Sequence, residues 1–421
     1  MRIYFSGIGG VGIGPLAEIA HDAGYTVLGS DMNESLMTRD LEKRGIAVSY
    51  DQSGEFLRHE HANQPIDWFI YTAALPSDHP ELIAARELGI KTTKRDELLA
   101  HIIAERGLKL IAIAGTHGKT TTTGMMVWTF TQLGIPVSYS VGTTLSWGPS
   151  GKFDPTSEYF VYECDEFDRN FLHFSPHLSL ITSIEYDHPD TYPTKDDYFN
   201  AFSQFTSQSE QVIMWKHDAI DIKTPEDSWL LSDTEVQNIT LAGTHNRRNG
   251  TLVSKAIEYL AMEEHIQSKS NTSEILASFP GTNRRFEKLA DNLYTDYGHT
   301  PTEIAVTLQM ARELSDHVVL VYQPHQNIRQ HEIRDQYTDA IFKNAEEVFW
   351  LPTYLSREDE KLEVLTPGQL TKNLNHTSLH IANPNDQLWN AIQKARDEGR
   401  LILCMGAGSI DNWARGEVIV S

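Results

Sequence analysis

Gly115-Thr116-His117-Gly118-Lys119-Thr120 carries the most specific chemistry in this 421-residue chain. The run follows the apolar stretch Lys109–Ala114 and opens a helical pattern that reaches about Leu133. In that setting, backbone N–H groups can cradle phosphates, the Lys119 ammonium can reach the outer phosphates, and the Thr120 hydroxyl can ligate Mg²⁺. The loop is shorter than the full G-x-x-x-x-G-K-[ST] pattern because position 113 is Ile. Taken alone, Thr120-Thr121-Thr122-Thr123 would also read as helix-start capping. The lysine between a strand and a helix points to nucleoside triphosphate binding.

Hard cations need oxygen ligands, so such a loop needs a second contributor. Glu163-Cys164-Asp165-Glu166-Phe167-Asp168 ends a predicted strand over 159–162, and Asp187-His188 follows another over 178–184. An acidic loop is often only solvated, and a lone histidine is often structural. Their position at strand ends beside the phosphate loop makes Glu163 and His188 the candidate metal ligands.

A second glycine loop, Gly7-Ile8-Gly9-Gly10-Val11-Gly12, follows the strand Arg2–Ser6, and Asp31 ends the strand Thr26–Ser30. Glycine amides at a helix N-terminus suit a diphosphate, and a carboxylate 24 residues after Gly7 suits ribose hydroxyls. A tight turn that packs a helix on a sheet would look similar. On these residues alone NAD, FAD and a nucleotide sugar all fit.

The elements that position these residues alternate strand and helix, which implies doubly wound parallel sheets. Further strands are expected over 67–72, Gln211–Trp215, 292–295, 317–323, 347–351, 379–382 and Leu401–Met405. Three α/β domains are expected over 1–105, 106–283 and 284–421, the second boundary lying in the turn-rich Phe279-Pro280-Gly281-Thr282-Asn283.

Composition bounds the possibilities. The chain is 40% hydrophobic and 22% charged, ordinary for a globular protein with real cores. With 35 basic against 58 acidic residues the formal charge is −23, which argues against coating nucleic acid or an anionic membrane. The only cysteines, Cys164 and Cys404, lie far apart in apolar stretches, so no disulfide framework is expected. The N-terminus lacks the regions of a signal peptide, and no run approaches the ~18 apolar residues of a membrane span. A cytoplasmic enzyme, monomeric or homodimeric, is the expectation.

Together the motifs resemble the Mur ligase family nearly end to end, and within it the branch that joins L-alanine to UDP-N-acetylmuramate. Besides the two glycine loops and the acidic run, the matches are Ile184-Glu185-Tyr186-Asp187-His188-Pro189-Asp190-Thr191-Tyr192, His245-Asn246-Arg247-Arg248-Asn249 and Arg284-Arg285-Phe286. Asp296-Tyr297-Gly298-His299 and Gln323-Pro324-His325 complete them. The resemblance implies a Rossmann-like first domain for a UDP-sugar, a central domain for ATP and Mg²⁺, and a third domain for an amino acid. Gly7, Gly9, Gly10, Val11, Gly12, Asp31 and Thr72 would bind the UDP-sugar. Gly115, Thr116, His117, Gly118, Lys119, Thr120, Thr121, Asn246, Asn249, Arg285 and Asp296 would bind ATP. Thr120, Glu163 and His188 would hold the metal, with Lys119, Glu163, His188 and Arg285 catalytic. Tyr297, His299, His325 and Arg329 would line the amino-acid site.

The third domain departs from the family pattern. A histidine pair is here His299-Thr300, paired aspartates are Thr295-Asp296, and the arginine after Gln-Pro-His is Gln326, leaving Arg329 as the nearby cation. Losing an arginine removes a bidentate carboxylate clamp, so a different amino acid is one alternative. A recycling ligase for a preformed peptide is another, although such relatives carry Glu-Pro-Arg in place of Gln323-Pro324-His325. A homologue that binds nucleotide without catalysis is the alternative from a different class.

Overall fold

Three β-sheets carry the chain's architecture. The computed structural model describes residues 1–420 except Val11, Ala73, Ala74, Asp190, 265–270, Arg357, Glu360 and Thr377.

The first sheet contains β1 (Arg2–Ser6), β2 (Thr26–Ser30), β3 (Ala47–Ser49), β4 (Trp68–Tyr71) and β5 (Lys91–Lys94), in the order β3-β2-β1-β4-β5 and parallel throughout. The second contains β6 (Lys109–Ala114), β7 (Val137–Ser140), β8 (Gly151–Lys152), β9 (Tyr159–Glu163), β10 (Leu178–Ile181), β11 (Gln211–Trp215) and β12 (Trp229–Leu231). Its order is β12-β11-β10-β6-β9-β7-β8, parallel except for the β7–β8 edge. The third contains β13 (Glu287–Ala290), β14 (Leu293–Asp296), β15 (Val318–Tyr322), β16 (Glu347–Trp350), β17 (Leu379–Ile381) and β18 (Leu401–Met405). Its order is β13-β14-β18-β15-β16-β17, with only β13–β14 antiparallel.

Apolar strands buried on both faces explain the near-continuous hydrophobic runs in the sequence. In the third sheet Val318, Leu320 and Tyr322 pack into one core cluster, while Val319 and Val321 pack into another on the opposite face. In the first sheet, Ile3 and Phe5 face one cluster and Tyr4 faces the other.

Several short strands carry too little apolar signal to be legible alone. Lys91-Thr92-Thr93-Lys94 is polar, yet it pairs with β4 in full register. The strand expected over 178–184 stops at Ile181, because Thr182 and Ser183 turn away to hold the phosphate loop. Both cysteines are free and buried.

The chain divides into two compact units, Met1–Val236 with Asn249–Phe279, and Gln237–Arg248 with Pro280–Ser421. The first holds two sheets that share one core cluster, in which Ile3, Phe5 and Trp68 join Ala112, Phe160 and Tyr162. No helix among the described residues is long and apolar enough to cross a membrane.

Candidate active site

The phosphate loop is built by backbone demands. Gly118 precedes the helix Lys119–Gln132 with φ +86°, a left-handed conformation that suits glycine. A Cβ on Gly115 would stand 2.4 Å from Thr182 Oγ1 and 2.7 Å from the Ser183 carbonyl. The segment after β10 clamps the loop: Thr116 N donates to Ser183 O at 2.9 Å, His117 N donates to Ser183 Oγ at 3.0 Å, and Thr182 Oγ1 donates to His117 O at 2.5 Å. The His117 ring meets Glu185 at 3.0 Å, and Thr121 lies part-buried in the first helical turn.

Strand register delivers the acids. β9 lies beside β6 with Ile113 opposite Glu163, so Glu163 arrives next to the start of the loop. Thr120 Oγ1 donates to Glu163 Oε1 at 2.8 Å, and Gly142 N donates to Glu163 Oε2 at 2.9 Å. Lys119 Nζ donates to Gly115 O at 2.6 Å and to both oxygens of Glu166 at 2.7 and 3.0 Å. Burial works to lower the Lys119 pKa, but the carboxylates of Glu166, Asp165 and Glu163 outweigh it and hold it above the ordinary lysine value. Burial likewise works to raise Glu166, and the Lys119 and His188 charges hold it below the ordinary value.

His188 reaches the same group from β10's side. Its Nε2 lies 3.5 Å from Glu166 Oε1, and its φ of +59° is left-handed. Burial works to lower its pKa, and the carboxylates of Glu166, Asp187 and Asp165 raise it instead. Among the described residues no group of three or more His, Cys, Asp and Glu is arranged to hold a metal ion. The Thr120 and Glu163 oxygens fit Mg²⁺ nonetheless, since that ion takes few protein oxygens and completes its shell with phosphate and water.

The N-terminal loop is held mostly by itself. Gly7 N and Ile8 N donate to Ser30 O, Gly10 N donates to Gly7 O, and Gly9 N donates to Asp31 Oδ2 at 2.8 Å. The expected diphosphate donors thus have protein acceptors, and Asp31 braces the loop. Thr72, at the end of β4, lies against Gly7, whose Cβ position is 3.4 Å from Thr72 Cγ2. β1 and β4 flank the point where strand order reverses, the usual ligand crevice of such sheets. Val11, an expected UDP-sugar contact, lies outside the described residues.

Sequence reasoning missed the cation of this crevice. Arg95 follows β5, and a Cβ on Gly12 would fall 2.6 Å from Arg95 Nη1. Arg95 also meets Asp96 at 3.3 Å and Asp165 at 3.9 Å. A cavity of about 170 Å³ is lined by Gly12, Arg95 and Leu99 on one side and Gly142, Glu163 and Asp165 on the other. The end of the first glycine loop therefore shares one cavity with the acid of the phosphate loop. The polar β5 strand that places Arg95 gave no hydrophobic signal.

The two asparagines expected at the adenine lie three residues apart on one helix, Thr244–Glu264. Asn249 is buried beside Gly118, whose Cβ position is 3.0 Å from Asn249 Oδ1. Asn246 belongs to the second unit and donates to Ala242 O at 3.0 Å and to Met310 Sδ at 3.3 Å.

Within the second unit, the other expected residues gather at the ends of β14, β18 and β15. Asp296 accepts from Phe286 N at 2.8 Å and Gly298 N at 2.7 Å, and burial raises its pKa to about 6 despite nearby Arg285. The Arg284 and Arg285 guanidinium groups lie 4.8 and 5.0 Å from the Tyr297 ring centre. His299 is 5.5 Å from His325, ring to ring, and His325 stacks on Tyr354 at 5.8 Å. Burial lowers His325 to about 4, helped by His299 and Arg329. Two departures from the family pattern have local roles. Thr300 caps the helix Pro301–Leu314 in a capping box with Glu303, and Gln326 takes φ +59° at the entry to the helix Asn327–Ile333.

Comparison with known proteins gives the family. Residues 2–106 match the model of the Mur ligase family catalytic domain, 113–282 the Mur ligase middle domain, and 284–408 the Mur ligase glutamate ligase domain. A UDP-N-acetylmuramate–L-alanine ligase of Clostridium botulinum (strain Loch Maree / Type A3) is 31% identical, covering 100% of this chain and 97% of its own. The ligase of the same name from Carboxydothermus hydrogenoformans is 30% identical over 98% and 95%. The crystal structure of the UDP-N-acetylmuramate–alanine ligase MurC of Thermotoga maritima shares the fold at TM-score 0.75 and 23% identity, covering 100% of this chain and 99% of that one. The MurF ligase of the same organism, solved in complex with ADP, gives TM-score 0.58 at 11% identity, over 86% and 90%. A phosphate loop, its acid and a glycine-loop crevice in one unit, with family matches to three successive domains, place this chain in the Mur ligase family.

Proposed function

We propose that this Mur ligase joins L-alanine to the lactyl carboxylate of UDP-N-acetylmuramic acid at the expense of ATP, in peptidoglycan precursor synthesis. The observation that carries the reading is the shared cavity, with Gly12 and Arg95 on one wall and Glu163 on the other. A UDP-sugar whose diphosphate meets Arg95 would extend its carboxylate toward the phosphate loop. The names of the full-length relatives support the choice of substrate and amino acid.

In this mechanism the carboxylate oxygen attacks the γ-phosphorus of ATP, the bond to the β-phosphate oxygen breaks, and ADP leaves an acyl phosphate behind. The amine of alanine then attacks the acyl carbon, and the tetrahedral adduct expels inorganic phosphate and loses a proton. Lys119 and the loop amides offset charge on the phosphoryl oxygens, the dominant demand in such transfers. Thr120, Glu163 and His188 would hold Mg²⁺, which supplies further charge neutralisation when bound with ATP. Asn249 would contact the adenine, with Asn246 and Asp296 as the further nucleotide contacts that the family pattern implies. Arg285 would serve the outer phosphates. Tyr297, His299, His325 and Arg329 would receive the amino acid.

The test is phosphate release from ATP that depends on both UDP-N-acetylmuramic acid and L-alanine. Lys119→Ala should abolish it, and turnover unchanged in that variant would overturn the reading. A panel of L- and D-amino acids in the same assay tells whether Gln326 marks a different amine donor.

A further inference from the structure

We propose that Glu166 is the positioning residue of the phosphoryl-transfer site, one buried carboxylate that holds both the Lys119 ammonium and the His188 imidazole in place. The proposal rests on the ATP-binding role given above to Lys119. Glu166 is fully buried, places both oxygens on Lys119 at 2.7 and 3.0 Å, and stands 3.5 Å from His188 Nε2. It thereby ties a residue of the phosphate loop to one that arrives after β10.

The backbone around Glu166 is held more tightly than a solvated acidic loop requires. Asp168 and Arg169 follow it with φ +54° and +59°, two successive left-handed residues of a kind that persist only where surroundings enforce them. Three contacts do so. Lys94 pairs with Asp168, the Arg169 guanidinium lies 5.1 Å from the Tyr192 ring centre, and the buried Tyr192 hydroxyl donates to the Glu166 carbonyl at 2.5 Å. The Phe167 ring also meets the His188 ring edge-on at 5.2 Å. A buried ion pair is poor evidence for stability, since apolar side chains of equal volume often serve as well. A buried ion pair whose following backbone is braced in this way, at the mouth of a phosphate loop, is better explained by placement of its two partners.

Glu166 also competes with phosphate for Lys119. Removing its charge should therefore harm turnover without weakening nucleotide binding, whereas a damaged fold would weaken both. The experiment compares wild type with Glu166→Gln, measuring kcat and, by calorimetry in EDTA, the Kd for ADP. Expected are a fall in kcat of about 10- to 100-fold, the range for residues that orient reacting groups, and an ADP affinity equal to or tighter than wild type. A parallel loss of both quantities, or no change in either, would overturn the proposal. Should Glu166→Gln fail to fold, Tyr192→Phe removes the hydrogen bond that holds the Glu166 backbone carbonyl and should lower kcat with ADP affinity kept; wild-type kcat there would also overturn it. Failure of the underlying reading is separate, since it would show as undiminished turnover in Lys119→Ala.

Discussion

The Gly9 amide donates to Asp31 Oδ2 at 2.8 Å, so the second glycine of the N-terminal loop and the acid at the end of β2 hold each other. A Cβ at Gly9 would stand 3.0 Å from that same oxygen. Asp31→Ala should cost about 2 kcal/mol, the range for a hydrogen bond to a charged group, and raise KM for the UDP-sugar. Asp31→Asn can still accept from Gly9 and should melt close to wild type. Thermal melts and initial rates check both, and an Asp31→Ala protein with unaltered Tm would count against a bracing role.

Gly12 and Gly29 should behave oppositely when replaced by alanine. At Gly12 the nearest atoms to the new methyl belong to the Arg95 side chain, whose Nη1 lies 2.6 Å from the Cβ position and at the end of a long side chain. Stability should hardly change, while displacement of Arg95 raises KM for the UDP-sugar, an effect that Arg95→Met should reproduce. At Gly29 the methyl meets the Phe5 carbonyl at 2.2 Å, backbone against backbone in adjacent strands. Gly29→Ala should cost about 3 kcal/mol through overpacking, read as a lowered denaturant midpoint.

Thr300, one departure from the family pattern, is an N-cap in this fold. Thr300→Ala should cost about 1 kcal/mol and leave kcat nearly unchanged. A large kcat loss at constant Tm would instead assign the hydroxyl to the reaction.

Gln326→Arg restores the cation that the family pattern places after Gln-Pro-His. If the amino acid's carboxylate binds near Arg329, this variant should lower KM for L-alanine, with KM for ATP unmoved. The left-handed backbone at this position is unaffected by the exchange. A KM for alanine that rises or stays constant would place the carboxylate elsewhere.

His245 supplies a pH signature in the second unit. Burial lowers its pKa to about 4 against an ordinary 6.5, with Arg247 acting in the same direction and Glu313 opposing. The unfolded chain therefore takes up a proton at a higher pH than the folded one, and stability falls as pH drops from about 6.5 to about 4. Its Nδ1 is buried with no hydrogen-bond partner among the described residues. His245→Phe removes the titration, so the variant's Tm should lose less than wild type over that window. Equal slopes would show that other groups dominate.

The sequence by itself determined the parts whose signals are local. A glycine loop between an apolar strand and a helix depends on neighbours a few residues away, so both loops, Lys119 and the strand-end acids were legible. The parallel α/β class followed from strand–helix alternation, and family membership from the order of many short motifs. The tertiary structure alone decided what depends on strand register and on strand order. Register set Glu163 opposite Ile113 and hence beside Thr120, while Glu166, three residues on, turned to Lys119. Strand order in the first sheet, where only β4 separates β1 from β5, brought Arg95 over Gly12, although the polar strand before it carries no hydrophobic pattern. It also bound Gly9 to Asp31, residues whose contact arises because β1 and β2 run side by side. Such contacts come from residues distant in the chain, and only a folded backbone specifies their distances.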